Sequence, residues 1–202
     1  MSAQKRAWVI LSVLFAIELV PFTMTLALSP YGVAGKLYGF DRFDWLAWVA
    51  ALAITAGYVA YAARAFPLIR ANLFTLNSMK LLAVAFAIVT GTVEELYFRK
   101  FVMDWAAHHG IATIGQVAVS AAVFGAAHGI WGVFAKQWRI ALGAALATGI
   151  LGGLLAIVYV LAGRHVAPCV WAHMLINLAI EPWLILAATS GGLRNKVPSA
   201  LA

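Results

Sequence analysis

Six long apolar runs leave this chain few ways to fold. A helix needs about 20 residues to cross roughly 30 Å of hydrocarbon. In lipid, only helices or closed barrels satisfy every backbone group. The runs cover residues 7–28, 45–65, 78–109, 112–131, 140–163 and 166–190. The third is too long for one perpendicular span, so it tilts or breaks near Gly91, and the break would add a seventh segment. Residues 65–77, with Pro67, read as a loop or a short interfacial helix. The expectation is all-α: one integral membrane domain over residues 1–202, a polytopic bundle of about six to eight transmembrane or interfacial helices.

Composition agrees. Of 202 residues, 64% are hydrophobic and 10% charged, against about 25% charged in a soluble domain. The net charge of +7 does not indicate nucleic acid. The basic residues stand singly or in pairs at the ends of apolar runs, where membrane proteins keep anchors, and no basic helix face is present. With six spans and an inside N-terminus, Lys5, Arg6, Arg64, Arg70, Lys80, Lys136, Arg139, Arg194 and Lys196 fall inside. Lys36, Arg42, Arg99, Lys100 and Arg164 fall outside. Nine against five predicts cytoplasmic termini. The first run continues to Leu28 without a cleavage site and reads as a span rather than a signal peptide. Cys169 reads as a packed thiol. Trp45, Trp48, Trp131, Trp138 and Trp183 read as interfacial aromatics, and His108 and His109 as interfacial residues. Gly143, Gly149, Gly152 and Gly153 read as packing positions in the fifth run. The tail after Gly191 reads as loose.

Against this background Glu94-Glu95-Leu96-Tyr97-Phe98-Arg99 stands out. A charged residue at a helix centre costs about 2.5–3.5 kcal/mol on insertion scales. Glu95 and Arg99 are four apart, share a helix face and can pair. Glu94 is turned by about 100° and has no cation at helical spacing. Glu95 is therefore braced, and Glu94 is free to face a cavity and suited to work as a general base. On this motif alone, an ion-pair clamp between helices explains the residues equally well.

Two more helices carry polar groups. Phe124 and His128 share a face, as do His173 and Asn177. A histidine and an asparagine projecting together offer donors to an oxyanion. Glu18 and Glu181 are further candidates to line the cavity. Glu94, His128 and His173 also compose a two-histidine, one-carboxylate set for a divalent metal such as zinc. No His-Glu-x-x-His stretch exists, so no single helix supplies a local chelate, and no cofactor is favoured.

Glu-Glu-x-x-x-Arg, Phe-x-x-x-His and His-x-x-x-Asn, in this order, resemble the motifs of the CAAX protease and bacteriocin-processing family of intramembrane endopeptidases. That family includes the type II CAAX prenyl endopeptidase. The run from Gly152 through Tyr159 to Gly163-Arg164-His165 is similar to the family's approach to its third motif. The resemblance covers about residues 78–180 and puts the motif-bearing core at about 78–190. It implies that Glu94 and His128 activate water, that His173 and Asn177 form the oxyanion site, and that Glu95 and Arg99 support them. It further implies a membrane-inserted or lipid-anchored peptide or protein substrate and the cell (inner) membrane of a prokaryote. A glycine usually follows the motif arginine in the family. Here Lys100 stands there and either snorkels to the interface or narrows the substrate path. Two other readings compete: a non-catalytic membrane protein with an immunity or scaffold role, and a proton or solute carrier using the same cluster.

Overall fold

The computed structural model describes residues 1–28, 37–38, 43–130 and 137–191. Every regular element among them is helical. In chain order these are α1 (Ala3–Leu28), α2 (Trp45–Ala65), the short α3 (Pro67–Asn72) and α4 (Ser78–Glu95). A π-helical turn (Leu96–Phe101) then leads into α5 (Val102–His108). It is followed by α6 (Thr113–His128), α7 (Trp138–Leu161) and α8 (Ala167–Thr189). Local chemistry fixes several starts. Asp44 accepts from the backbone N–H groups of Leu46 and Ala47 at the start of α2, and Asn77 accepts from Lys80 at the start of α4. Pro67 occupies the first turn of α3, where its missing N–H costs nothing.

Helix α8 is the axis of the bundle. It packs against α1, α2, α3, α4 and α7 and is the most buried of the long helices. At the other extreme is α1, which presents Val9, Val13, Ile17, Val20 and Met24 outward along its length. An exposed apolar surface of this extent belongs in lipid, where hydrocarbon is the solvent. Among the described residues, five helical stretches are long and apolar enough to cross a membrane: α1, α2, Ser78–His108, α7 and α8. The protein is an integral membrane protein of polytopic helical design.

The sequence reading of the spans needs three corrections. First, among the described residues five of the six runs form helices long enough. The fourth forms α6, whose 16 residues reach about 24 Å and stop at His128. Second, the third run does not break at Gly91. Helical geometry continues through it, and the irregularity is the π-helical turn five residues later. Gly91 instead serves close approach, since a Cβ there would sit 2.8 Å from Met174 Cγ and 3.0 Å from Met174 N. This contact sets α4 against α8 beside His173. Third, Trp183 is not interfacial: it is 2% exposed, in the core. Trp45 and Trp138 are exposed near helix starts, whereas Trp48 is half-buried. The readings for Trp131 and for the tail after Gly191 lie outside the described residues.

Glycines also bring α6 and α7 together. A Cβ on Gly125 would meet the Ala145 carbonyl at 2.4 Å and Gly149 Cα at 3.0 Å, and one on Gly152 would meet the Phe124 ring at 2.9 Å. Small residues allow this contact between backbones. Gly143 differs from its neighbours: it has open space and lines a cavity instead of a helix contact. Cys169 is buried and donates to the Leu155 carbonyl at 3.2 Å.

Two polar arrangements brace the frame. Pro182 lies inside α8, so the carbonyl of Leu178 loses its usual amide donor. The Lys80 ammonium from α4 donates to that carbonyl, and its Nζ lies 5.8 Å from the centre of the Trp183 ring. At the far end of α4, Asp104 accepts from Tyr159 at 3.0 Å and from Arg164 at 2.7 Å, and also pairs with Lys100. Arg164 reaches on to Gln116, which donates to the Ile111 carbonyl at 2.6 Å. Arg164 has φ 65°, an uncommon value for a residue with a side chain. Its amide donates to the Tyr159 carbonyl at 2.9 Å and closes α7. This latch joins α5, α6 and the α7–α8 turn.

Candidate active site

The three motifs meet in one place. Glu94 Oε2 lies 3.7 Å from His128 Nε2 and 3.7 Å from His173 Nε2. These separations exceed a hydrogen bond. The oxygen has no hydrogen-bond partner among the described residues, although it is buried. The side chains of Glu94 and His128 are 20% and 21% exposed, so the group has access to its surroundings.

The next residue behaves differently. Glu95 is fully buried and bridges two cations or potential cations. Its Oε2 pairs with Arg99 Nε at 2.9 Å, and its Oε1 meets His173 Nδ1 at 2.7 Å. The pair with Arg99 survives the π-helical turn. The Arg99 guanidinium is fully buried, lies 4.5 Å from the centre of the Phe124 ring, and makes no hydrogen bond through its terminal nitrogens to a described residue. Ser120 of α6 donates to the Phe98 carbonyl inside the turn at 3.0 Å and so ties the turn to α6. Phe124 is the spacer of the site: its ring centre is 4.5 Å from that of His128 and 5.6 Å from that of His173.

Hydrogen-bond partners define the orientation of the polar groups. His128 Nδ1 faces the Phe124 carbonyl at 2.9 Å. A carbonyl only accepts, so this nitrogen carries the proton and the neutral ring presents a lone pair at Nε2 toward Glu94. His173 Nδ1 donates to Glu95 by the same logic. Asn177 Nδ2 donates to Thr90 Oγ1 at 3.1 Å, and the Thr90 hydroxyl in turn donates to the Phe86 carbonyl at 2.9 Å. An amide nitrogen has two N–H groups, so Asn177 keeps one beyond Thr90. Thr90 was missed in the sequence, although it precedes Glu94 by four residues and shares its face. The link from Glu95 to His173 joins helices distant in sequence, and no local spacing signals it.

The partners of Glu94 open on a cavity of about 320 Å³ between α2, α3, α6, α7 and α8, whose wall does not include Glu94 itself. His128, His173, Asn177 and Phe124 stand in its wall, and Tyr58, Tyr61, Thr148 and Glu181 line it as well. Glu181 is therefore brought to the cavity, as the sequence suggested. Glu18 is not among the wall residues, although the charge of Glu94 acts on it from α4. Lys100 is not among the wall residues, is 55% exposed and pairs with Asp104. His108 and His109 are exposed at the end of α5, away from the cavity wall. Among the described residues, no group of three histidine, cysteine or carboxylate side chains is disposed to hold a metal ion.

Comparison with protein families matches residues 76–179 to the Rce1-like family, described as type II CAAX prenyl endopeptidase Rce1-like. The match covers just over half of the chain and contains all three motifs. The chain belongs to this family. The family relation supports a protease of the CAAX type in a membrane, in line with the apolar helices. Comparisons with curated proteins and with solved structures found no match.

Proposed function

We propose that the protein is an intramembrane endopeptidase that hydrolyses a peptide bond of a membrane-inserted or lipid-anchored substrate, with Glu94 as general base. The observation that carries this reading is the unfilled Glu94 Oε2, 3.7 Å from two imidazole Nε2 atoms. A water seated to one side of the pair can hydrogen-bond to both groups across that separation. The water hydrogen-bonds to Glu94 and to the lone pair of His128 Nε2. Its oxygen attacks the scissile carbonyl carbon while Glu94 takes the proton. The carbonyl π electrons move to oxygen, where the free N–H of Asn177 and Nε2–H of His173 stabilise the charge. His173 donates through Nε2 as the imidazolium, with its Nδ1–H held by Glu95. Glu94 then delivers its proton to the leaving nitrogen, the C–N bond breaks, and a carboxylic acid and an amine leave.

Glu95 and Arg99 position the machinery. Arg99 holds Glu95, and Glu95 holds the His173 ring. In this reading no step uses a metal, the termini are cytoplasmic, and the protein resides in the cell membrane of a prokaryote. The complete His173–Asn177 pair favours an enzyme over a proton relay, because a relay has no use for the asparagine. The test is cleavage of membrane-peptide reporters by purified protein in nanodiscs. Wild type cleaves, Glu94→Gln does not, and chelators leave the rate unchanged. Retained cleavage in folded Glu94→Gln overturns the base assignment. Loss of activity on chelation with rescue by zinc overturns the metal-free mechanism.

A further inference from the structure

The cavity continues past the proposed catalytic groups, and its far wall carries a carboxylate that the reaction does not use. Glu181 lies on α8, eight residues after His173 and four after Asn177. Eight residues of helix advance about 12 Å. Glu181 lines the same cavity as His128, His173 and Asn177 and has no hydrogen bond or ion pair to a described residue. Tyr58 and Tyr61 of α2 line that wall as well, and the Glu181 charge acts on Tyr58. No described lysine or arginine stands in the cavity wall. The charge of Glu94 acts on Glu181 with the same sign, and the compensating charge that acts on it, His173, stands eight residues away on α8 and is held by Glu95.

A carboxylate held at the wall of a membrane cavity without a cation is costly unless something else supplies one. Its position indicates what would supply it. An extended peptide advances about 3.3 Å per residue, so about 12 Å corresponds to three or four substrate residues. We propose that Glu181, flanked by Tyr58 and Tyr61, is a specificity subsite for a lysine or arginine side chain three or four residues from the scissile bond. The ammonium or guanidinium pairs with the Glu181 carboxylate, the tyrosine rings flank the aliphatic stem, and the reaction proceeds at the other end of the cavity. The same wall disfavours an acidic side chain or a terminal carboxylate at that distance.

This proposal rests on the endopeptidase reading, and two readouts separate them. In the first, reporter peptides carry a single lysine at each of four positions on either side of the cleaved bond, with norleucine as the uncharged control. For wild type, lysine at the third or fourth position on one side raises kcat/KM roughly tenfold, the scale of a charge-assisted hydrogen bond. In Glu181→Gln the lysine-to-norleucine ratio falls to about one, and in Glu181→Lys aspartate is preferred over lysine. A flat lysine scan, or a scan unchanged in Glu181→Gln, overturns the subsite while Glu94-dependent cleavage still stands. The second readout is direct binding of the same peptides to Glu94→Gln protein in nanodiscs, which needs no turnover. Tighter binding of the lysine peptide that is lost in Glu94→Gln/Glu181→Gln supports the subsite even where no reporter is cut. Equal binding of lysine and norleucine peptides overturns it.

Discussion

Two polar clusters built from similar residues lie on one bundle, and they are finished differently. The latch at Asp104 is closed. Its carboxylate takes Tyr159 at 3.0 Å, Arg164 at 2.7 Å and also Lys100, and Arg164 continues to Gln116. The cluster at Glu94 is open. Its carboxylate oxygen stands 3.7 Å from each imidazole and has no direct partner. Both sets contain charges that lipid penalises, so burial alone does not distinguish structure from chemistry. The distinguishing feature is satisfaction. The latch leaves little for a ligand to do, whereas the Glu94 cluster leaves a buried carboxylate oxygen without a direct partner.

The same contrast recurs between neighbours. Glu95 is fully buried and takes Arg99 on one oxygen and His173 on the other. Glu94, one residue earlier, faces the gap. Breaking the comparison therefore requires variants on both sides of it. Among the partners of the two glutamates and of the latch, the largest effect is expected for His173→Ala, which removes the oxyanion donor and the partner of Glu95. Cleavage by the folded fraction should fall by about 10²–10³, the scale of one oxyanion-hole donor. Retention within tenfold would remove His173 from the mechanism. Next is Arg99→Met, which strands a buried carboxylate. A loss of about 3–5 kcal/mol is expected by denaturant or thermal unfolding in detergent, and Arg99→Lys should rescue it poorly because the ammonium lacks the planar fork. Asp104→Asn should cost about 1–3 kcal/mol through loss of charged hydrogen bonds. Its cleavage per folded molecule should stay within about twofold, and a loss comparable to that of His173→Ala would erase the distinction between the clusters. The smallest effect belongs to Lys100→Gly, at most about 1 kcal/mol, because an exposed ion pair contributes little. Substrate preference should not change, since Lys100 is not among the residues of the cavity wall.

Much of the site was legible in the sequence because helical spacing is local. The pairing of Glu95 with Arg99, the shared faces of Phe124 with His128 and of His173 with Asn177, and the separate course of Glu94 all follow from 100° per residue. Contacts between helices were not legible in the same way. The bond from Glu95 to His173 joins α4 to α8, and that from Asn177 to Thr90 does so again. Gly91 looked like a break because glycine weakens a helix, yet tertiary contact uses it for close approach to Met174. The π-helical turn carries no propensity signal in Leu96–Phe101. Trp183 followed the habit of membrane tryptophans in the sequence reading, but α8 is central and buries it. Lys80 counted as an inside anchor, whereas it donates to the carbonyl orphaned by Pro182. Lys100 seemed to intrude on the site because it follows Arg99, but the turn directs it outward to Asp104.

The central claim is that adjacent glutamates have opposite duties, and one paired measurement tests it most directly. Glu94→Gln and Glu95→Gln are purified side by side, and thermal unfolding and reporter cleavage are recorded on the same samples. The account predicts that Glu94→Gln melts within a few degrees of wild type and loses cleavage by about 10²–10⁴, the scale of general-base catalysis. It predicts that Glu95→Gln loses several kcal/mol of stability, as expected for a broken buried pair. Wild-type cleavage by Glu94→Gln, or wild-type stability of Glu95→Gln, would contradict it.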